Sequence, residues 1–299
     1  MISIALASYN GAKYIREQLD SILAQTYQNF ELIICDDCST DDTWQILEEY
    51  ASKDNRIRIF ENETNLGFKN NFEKAISLCN GEYIALSDQD DIWCQNHLEL
   101  LLNKIGDKMI ACGDALLVNA DGISMGFTLS WQEAFDYVPD DDLQKAYSIM
   151  YFRSPLQGAS MLIKKEFLEI ALPIPEQMEY HDAWFTYLGC FYGGINFFRE
   201  IISYYRRHNA NVTGNKIERR KKFKTFLRHI RTICHQNKGY ASSKILERVN
   251  SLTIQQCKFL NDIIRRHNRK KTFLGRLCNA IFELFHYKLI YSCDRKHWL

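Results

Sequence analysis

The first hundred residues predict an α/β fold built on a largely parallel sheet, on three observations. Apolar runs of strand length alternate four times with stretches of helical periodicity. Three of those runs end in polar clusters, at 8–10, 36–37 and 88–90, which a parallel sheet with right-handed crossovers brings to one rim. Neither G-x-G-x-x-G nor G-x-x-x-x-G-K-[ST] occurs, so dinucleotide-binding and P-loop readings lose their warrant.

Taken in order, Ile2 to Ala7 is apolar enough for a buried strand and ends in the turn Ser8-Tyr9-Asn10-Gly11. Ile15, Leu19, Ile22 and Leu23 then recur at helical spacing, with Arg16, Glu17 and Asp20 outside. After a loop at 25–29, Phe30 to Cys35 is a second buried strand, ending at Asp36-Asp37-Cys38-Ser39. A helix is predicted from about Asp41 to Ala51 on Trp44, Ile46, Leu47 and Tyr50. Arg56 to Phe60 alternates as a third strand, and Asn65-Leu66-Gly67 turns into a helix reaching about Leu78. Gly81 punctuates before the fourth strand, Glu82 to Leu86. Residues 109–164 are less regular. Met109 to Val118 reads as a strand pair or bend leading to the Asp121-Gly122 turn. Phe127 to Tyr151 reads as a polar-aromatic insertion whose Asp140-Asp141-Asp142 suits a helix N-terminus.

At 299 residues, 46% hydrophobic and 25% charged, the composition is that of a globular chain with a sizeable core. No run approaches the ~18 apolar residues of a transmembrane helix, and the opening residues lack the basic region of a signal peptide. The ten cysteines then read as reduced, mostly buried thiols, and the location as cytoplasmic. The zero net charge hides a division: residues 1–215 carry 16 Lys and Arg against 32 Asp and Glu, and residues 216–299 carry 21 against 5. Such asymmetry points to two jobs, one of them against an anionic surface.

Ser87-Asp88-Gln89-Asp90-Asp91-Ile92-Trp93 puts three carboxylates at the end of the fourth strand. Their mutual repulsion and desolvation cost stability unless a cation sits among them, and hard oxygens suit Mg²⁺ or Mn²⁺. In an extended chain Asp88 and Asp90 share a face. The plain alternative is an acidic turn capping a helix that starts near Ile92.

Together, Ala7-Ser8-Tyr9-Asn10-Gly11, Ser21 to Tyr27, Asp36 to Asp41, Asn65-Leu66-Gly67 and Ser87 to Trp93 resemble the family-2 glycosyltransferases, from residue 1 to about 215. Asp88-Gln89-Asp90-Asp91-Ile92-Trp93 is most similar to the bacterial rhamnosyltransferase-like branch. The resemblance implies a GT-A-type Rossmann-like mixed sheet flanked by helices, with a helical basic C-terminal extension. It implies nucleotide-sugar contacts from Ala7, Tyr9, Asp37, Lys69, Asp88 and Arg206, and a Mg²⁺ or Mn²⁺ ion at Asp90 and His208. An acidic acceptor such as Asp37 suits the N3–H of uracil or thymine; its alternative is to cap the helix from Asp41. Asp182, in Glu179-Tyr180-His181-Asp182-Ala183-Trp184, matches the general base, with His181 as competitor and a simple helix cap as alternative. Trp93, Gln157, Gly158, His181 and Trp184 are implied on the acceptor side. Ile201 to Gly214, a strand followed by a polar loop, resembles the closing segment, where Arg suits bidentate phosphate contact and neutral His metal ligation; a basic surface loop is the other reading.

These expectations give a catalytic domain at 1–215 and a basic, mostly helical region at 216–299. The enzyme would be an inverting, metal-dependent hexosyltransferase. It would move a sugar from dTDP-rhamnose or a UDP-hexose to a cell-surface polysaccharide or lipid-linked oligosaccharide. The competing class is an inactive nucleotide-sugar-fold protein tethering polysaccharide machinery. Basic-aromatic stretches at 219–230 and 265–274 and the bulky 281–290 run, with Trp298 near the end, fit an anionic membrane surface, and so a peripheral place at the inner face of the plasma membrane. They equally fit packing on the acidic catalytic domain, and the catalytic motifs disfavour nucleic acid as the partner.

Overall fold

The computed structural model describes residues 1–132, 156–211 and 238–269. β1 (Ile2–Ser8), β2 (Phe30–Asp36), β3 (Ile57–Glu61) and β4 (Tyr83–Asp88) form a parallel array in the order β3-β2-β1-β4. The crossovers are α1 (Ile15–Leu23), α2 (Thr43–Lys53) and α3 (Phe68–Ser77). The chain continues through β5 (Ile92–Trp93), α4 (His97–Ile105), β6 (Ile110–Val118), β7 (Ser124–Thr128) and α5 (Leu129–Gln132). From residue 156 onward come β8 (Met161–Lys164), α6 (Lys165–Ala171), α7 (His181–Gly189), β9 (Ile195–Arg206), α8 (Lys238–Arg248) and α9 (Ile254–Arg269). Beyond β4 the sheet becomes mixed: β8 runs antiparallel to β4 and β6, β6 parallel to β9, and β5 antiparallel to β9. This is a GT-A-type mixed sheet flanked by helices.

Strand alternation divides the core between the two faces. Ile2, Ile4 and Leu6 of β1 meet Ile15, Leu19, Ile22, Leu98 and Leu101. Ala5, Ile33, Ile84 and Leu86 belong to the cluster with Phe72, Phe167, Phe185 and Leu188. Because both faces are covered, the central strands read in sequence as apolar runs without a polar stripe.

Two expectations change. No helix opens near Ile92: Ile92 and Trp93 pair with Tyr204 and Ser203 of β9, and α4 begins at His97. Trp93 is drawn into the core, its ring stacked on His97 at 3.9 Å between centroids. Burial holds the His97 imidazole down to about pKa 3, so it is neutral and its Nδ1 can donate to the Ile202 carbonyl, 2.9 Å away. Of the stretches reserved for a membrane or for packing, 219–230, 270–274 and 281–290 lie outside the described residues, as does Asp140-Asp141-Asp142.

The part of the basic region that is described packs on the sheet domain. Ala241 and Ile245 of α8 and Val249 just after it, with Phe259, Leu260 and Ile263 of α9, belong to the same buried cluster as Ile84 and Phe185. No helix among the described residues is long and apolar enough to cross a membrane. Ile245→Ala, a truncation at a fully buried position, is therefore expected to cost about 2–5 kcal/mol of stability, read by denaturant unfolding. Unchanged stability would mean that α8 is not part of the folding unit.

Candidate active site

Register brings the polar clusters together. Ser8 lies opposite Asp36, and Ala7 opposite Asp88, so the ends of β1, β2 and β4 share one rim. A cleft of about 1040 Å³ opens there, lined by Ala7, Tyr9, Asp37, Asp88, Asp90 and Asp182 among others.

The loop after β1 forms one wall. Asn10 takes a left-handed conformation, φ 48°, which Asn tolerates better than most residues. It also laces the loop to the one after β2: its N–H donates to Ser39 Oγ at 2.9 Å, and its Oδ1 accepts from the Thr40 N–H at 2.8 Å. Gln89, between the two cleft carboxylates, holds the same loop from the other side. Its Oε1 accepts from the Tyr9 N–H at 2.8 Å and its Nε2 donates to the Tyr9 carbonyl at 3.0 Å. Position 11 must be Gly for this clasp to close, since a Cβ there would lie 2.2 Å from Gln89 Oε1.

Asp37 is buried and heavily used. It accepts from the Leu66 N–H at 2.7 Å, the Gly67 N–H at 2.8 Å and Asn62 Nδ2 at 2.7 Å, which fixes the Asn65-Leu66-Gly67 turn. It does not cap α2, which shows no side-chain cap. Gly67 opens α3 at φ 78°, a conformation that favours glycine. Asn62 Nδ2 also donates to Asn71 Oδ1 at 2.9 Å, and Asn71 Nδ2 to the Cys35 carbonyl at 2.8 Å, so a buried network stiffens this wall.

Carboxylates crowd the centre. Burial, then the charges of Asp90 and Asp182, push Asp88 up to about pKa 7, with Gln157 opposing. Asp91, fully buried, is raised well above the usual range by burial and by Asp90 and Asp88. It caps no helix: it accepts from the Arg206 N–H at 3.1 Å and from Gln157 Nε2 at 3.0 Å. Asp90 Oδ2 stands 2.7 Å from His208 Nε2, and the His208 ring stacks on Tyr14 at 4.7 Å.

Among the described residues no three or more His, Cys, Asp or Glu gather as a metal cage. Asp90 and His208 nevertheless fit a Mg²⁺ or Mn²⁺ ion: a hard carboxylate and an imidazole meet at the cleft, amid negative charge that a cation would relieve. Such ions commonly take few protein ligands and fill the rest with water and substrate phosphates.

Gly158, His181 and Asp182 make the facing wall. A Cβ at Gly158 would lie 2.7 Å from His181 Nε2, so only glycine lets the imidazole sit this close. His181 is buried against Phe72, 4.2 Å between ring centroids, and burial lowers its pKa while Asp182 opposes. Asp182 lies in the first turn of α7, but the capping position belongs to Tyr180, whose side chain caps nothing. Asp182 Oδ1 accepts from the Ala183 N–H at 2.6 Å, a first-turn amide of the helix, and Asp182 lines the cleft.

Ala7, Tyr9, Asp37, Asp88, Asp90, Gln157, Gly158, His181, Asp182 and His208 thus come together around one cleft; four other expected residues do not line it. Arg206 is a buried tie: it donates to the carbonyls of Asp90 at 2.9 Å and Ala120 at 3.1 Å and pairs with Glu17. The neighbouring Arg207, also buried, lines the cleft instead, because successive side chains at the end of β9 leave it on opposite faces. Trp93 and Trp184 are core residues, and Lys69 reaches the Glu176 carbonyl at 2.9 Å. Sequence reasoning missed Tyr14, Asn71 and Asn211. An aromatic in the first turn after Tyr9-Asn10-Gly11 was the available signal for Tyr14. Cys35 and Cys38 stand at C-x-x-C spacing, but both are free thiols, and burial pushes Cys35 up to about pKa 11.

Comparison with known proteins agrees with this geometry. Residues 3–164 match the family model of Glycosyl transferase family 2, and the chain belongs to that family. It is 29% identical over 228 residues to the putative teichuronic acid biosynthesis glycosyltransferase TuaG of Bacillus subtilis, covering 74% of this chain and 85% of TuaG. Over 93 residues, 31% of this chain and 36% of the relative, it is 43% identical to WfaP of Escherichia coli. That protein is described as a UDP-Glc:alpha-D-GlcNAc-diphosphoundecaprenol beta-1,3-glucosyltransferase. In several curated relatives, as in WfaP, the match thus spans about a third of the relative's length. Among solved structures, residues 1–349 of TarS from S. aureus superpose with a TM-score of 0.59 at 20% identity, over 89% of this chain and 71% of that one.

Proposed function

We propose that this chain is an inverting, metal-dependent hexosyltransferase acting on a nucleoside-diphosphate sugar. The observation that carries the reading is a single cleft shared by the Asp90–His208 pair, the base-side Asp37 loop and Asp182. Asp182 takes the proton of the acceptor hydroxyl as that oxygen attacks the anomeric carbon from the face opposite the leaving group. One displacement needs one base plus stabilisation of the leaving diphosphate, so the configuration inverts. Asp90 and His208 would hold a Mg²⁺ or Mn²⁺ ion, whose Lewis acidity neutralises that diphosphate. Arg207, on the same cleft, is suited to phosphate contact. Tyr9, nearly half exposed, offers a ring face for the base beside Asp37.

The names of TuaG and WfaP support a cell-envelope glycan or a lipid-linked oligosaccharide as acceptor and a UDP-hexose as donor; dTDP-rhamnose stays on the test panel for the Asp88-to-Trp93 motif. Catalysis is assigned to residues 1–215, and the basic region beyond to closing the core through α8 and α9. A lipid-linked acceptor would set the enzyme at the inner face of the plasma membrane, where the basic stretches outside the described residues meet anionic lipid. The deciding experiment is turnover of UDP-glucose, UDP-N-acetylglucosamine, UDP-galactose and dTDP-rhamnose with Mn²⁺ and a diphosphoundecaprenol-linked sugar. Metal-dependent release of nucleotide from at least one donor is expected. UDP or dTDP binding without turnover of any donor would overturn the reading in favour of an inactive tethering protein.

A further inference from the structure

We infer that α8 sets the rotation of α7, and through it the aim of Asp182, with Arg248 as the positioning residue. This rests on the reading of Asp182 as the base. At 3.6 residues per turn, Trp184 is about 200° around the helix from Asp182, so the two side chains leave α7 on nearly opposite sides. Trp184 is fully buried, and its Nε1 donates to the Ala171 carbonyl at 2.8 Å, at the end of α6. Arg248 of α8 closes on the same spot. Its Nη1 donates to the carbonyls of Ile170 at 3.2 Å, Ala171 at 3.0 Å and Pro173 at 3.0 Å, and its guanidinium lies 5.5 Å from the Trp184 ring centroid. One turn further along the same side of α7, the Tyr187 hydroxyl bonds Ser242 Oγ of α8 at 2.8 Å within the core.

Two polar fasteners three residues apart on one side of a helix fix its rotation, which loose apolar packing alone would not. The last carbonyls of α6 lack partners within their own helix, so the arginine gathers acceptors that are otherwise costly to bury. A base must stand within hydrogen-bond reach of the proton it takes, and a shift of about 1 Å can cost as much as 100-fold in rate. Arg248 touches no residue of the cleft lining, so its removal should alter the rate and not the nucleotide site.

The test uses the full-length chain and four variants: Arg248→Ala, Arg248→Lys, Tyr187→Phe and Asp182→Asn. Turnover is measured with the donor selected by the panel, and affinity with UDP or dTDP by calorimetry. Arg248→Ala should lower kcat by up to about 100-fold while donor KM and nucleotide affinity stay unchanged. Arg248→Lys, which keeps a charge and several donors, should recover most of that rate, and Tyr187→Phe should lose rate in the same selective way. If Arg248→Ala does not fold, Tyr187→Phe decides. A selective fall in kcat supports the inference; unchanged kcat, or kcat and nucleotide affinity falling together, overturns it. Asp182→Asn separates the two ideas. If it turns over normally, the base assignment has failed; if it is inactive while Arg248→Ala is fully active, only the positioning role has failed.

Discussion

Asp182→Asn is expected to lower kcat by about 10²–10⁴-fold and to leave donor affinity nearly unchanged. The amide keeps the shape of the carboxyl but cannot accept the proton that an attacking hydroxyl must lose. Its surroundings tolerate the change, since the amide oxygen can still accept from the Ala183 N–H and the core packs around Trp184 and Phe185. Removing one negative charge also eases the repulsion that raises Asp88. The competitor is His181, whose imidazole burial keeps in the neutral, proton-accepting form. Steady-state kinetics of Asp182→Asn beside His181→Ala settles the matter: turnover lost in the second and near normal in the first would move the base role to the histidine.

Chelation with EDTA is expected to abolish transfer, and Mg²⁺ or Mn²⁺ to restore it. Without the cation, the donor's diphosphate would enter a cleft already lined by Asp88, Asp90, Asp121 and Asp182, a like-charge encounter with little to offset it. Asp90→Ala should remain folded, because it removes one of several crowded charges and leaves the backbone carbonyl that Arg206 holds. It should lose the metal-dependent part of nucleotide affinity, measured by calorimetry with and without Mn²⁺. Full transfer after exhaustive dialysis against EDTA would overturn metal dependence and leave the Asp90–His208 contact as a plain hydrogen bond.

The βα alternation was legible because β1, β2 and β4 are buried on both faces, β3 alternates, and each crossover helix carries one apolar stripe. From strand order alone, the ends of β1, β2 and β4 had to meet. What stayed hidden depends on contacts far apart in the chain. Asp91 looks like a helix cap until Gln157 and the Arg206 N–H, 66 and 115 residues away, are seen to claim it. Trp93 and Trp184 look like sugar platforms, since an aromatic beside a carboxylate reads the same whether it faces a ligand or the core. Arg206 and Arg207 are neighbours of identical type, and only the β9 pairing decides which one faces the cleft. Likewise the charge division near residue 215 left membrane binding and packing on the catalytic domain equally open, because charge count is silent about Ile245 and Leu260, which pack into the sheet domain.

The clasp of Gln89 on Tyr9 bears on how this enzyme could be re-engineered. A single amide satisfies both the N–H and the carbonyl of one backbone residue, which requires a donor and an acceptor on the same side-chain end. Glutamate, though nearly identical in shape, would set a second oxygen against the Tyr9 carbonyl, so the swap would not be conservative. Position 89 therefore behaves as part of the loop after β1 although it lies 80 residues away. A graft of that loop from a relative with another nucleotide preference would have to carry residues 11 and 89 with it as one cassette.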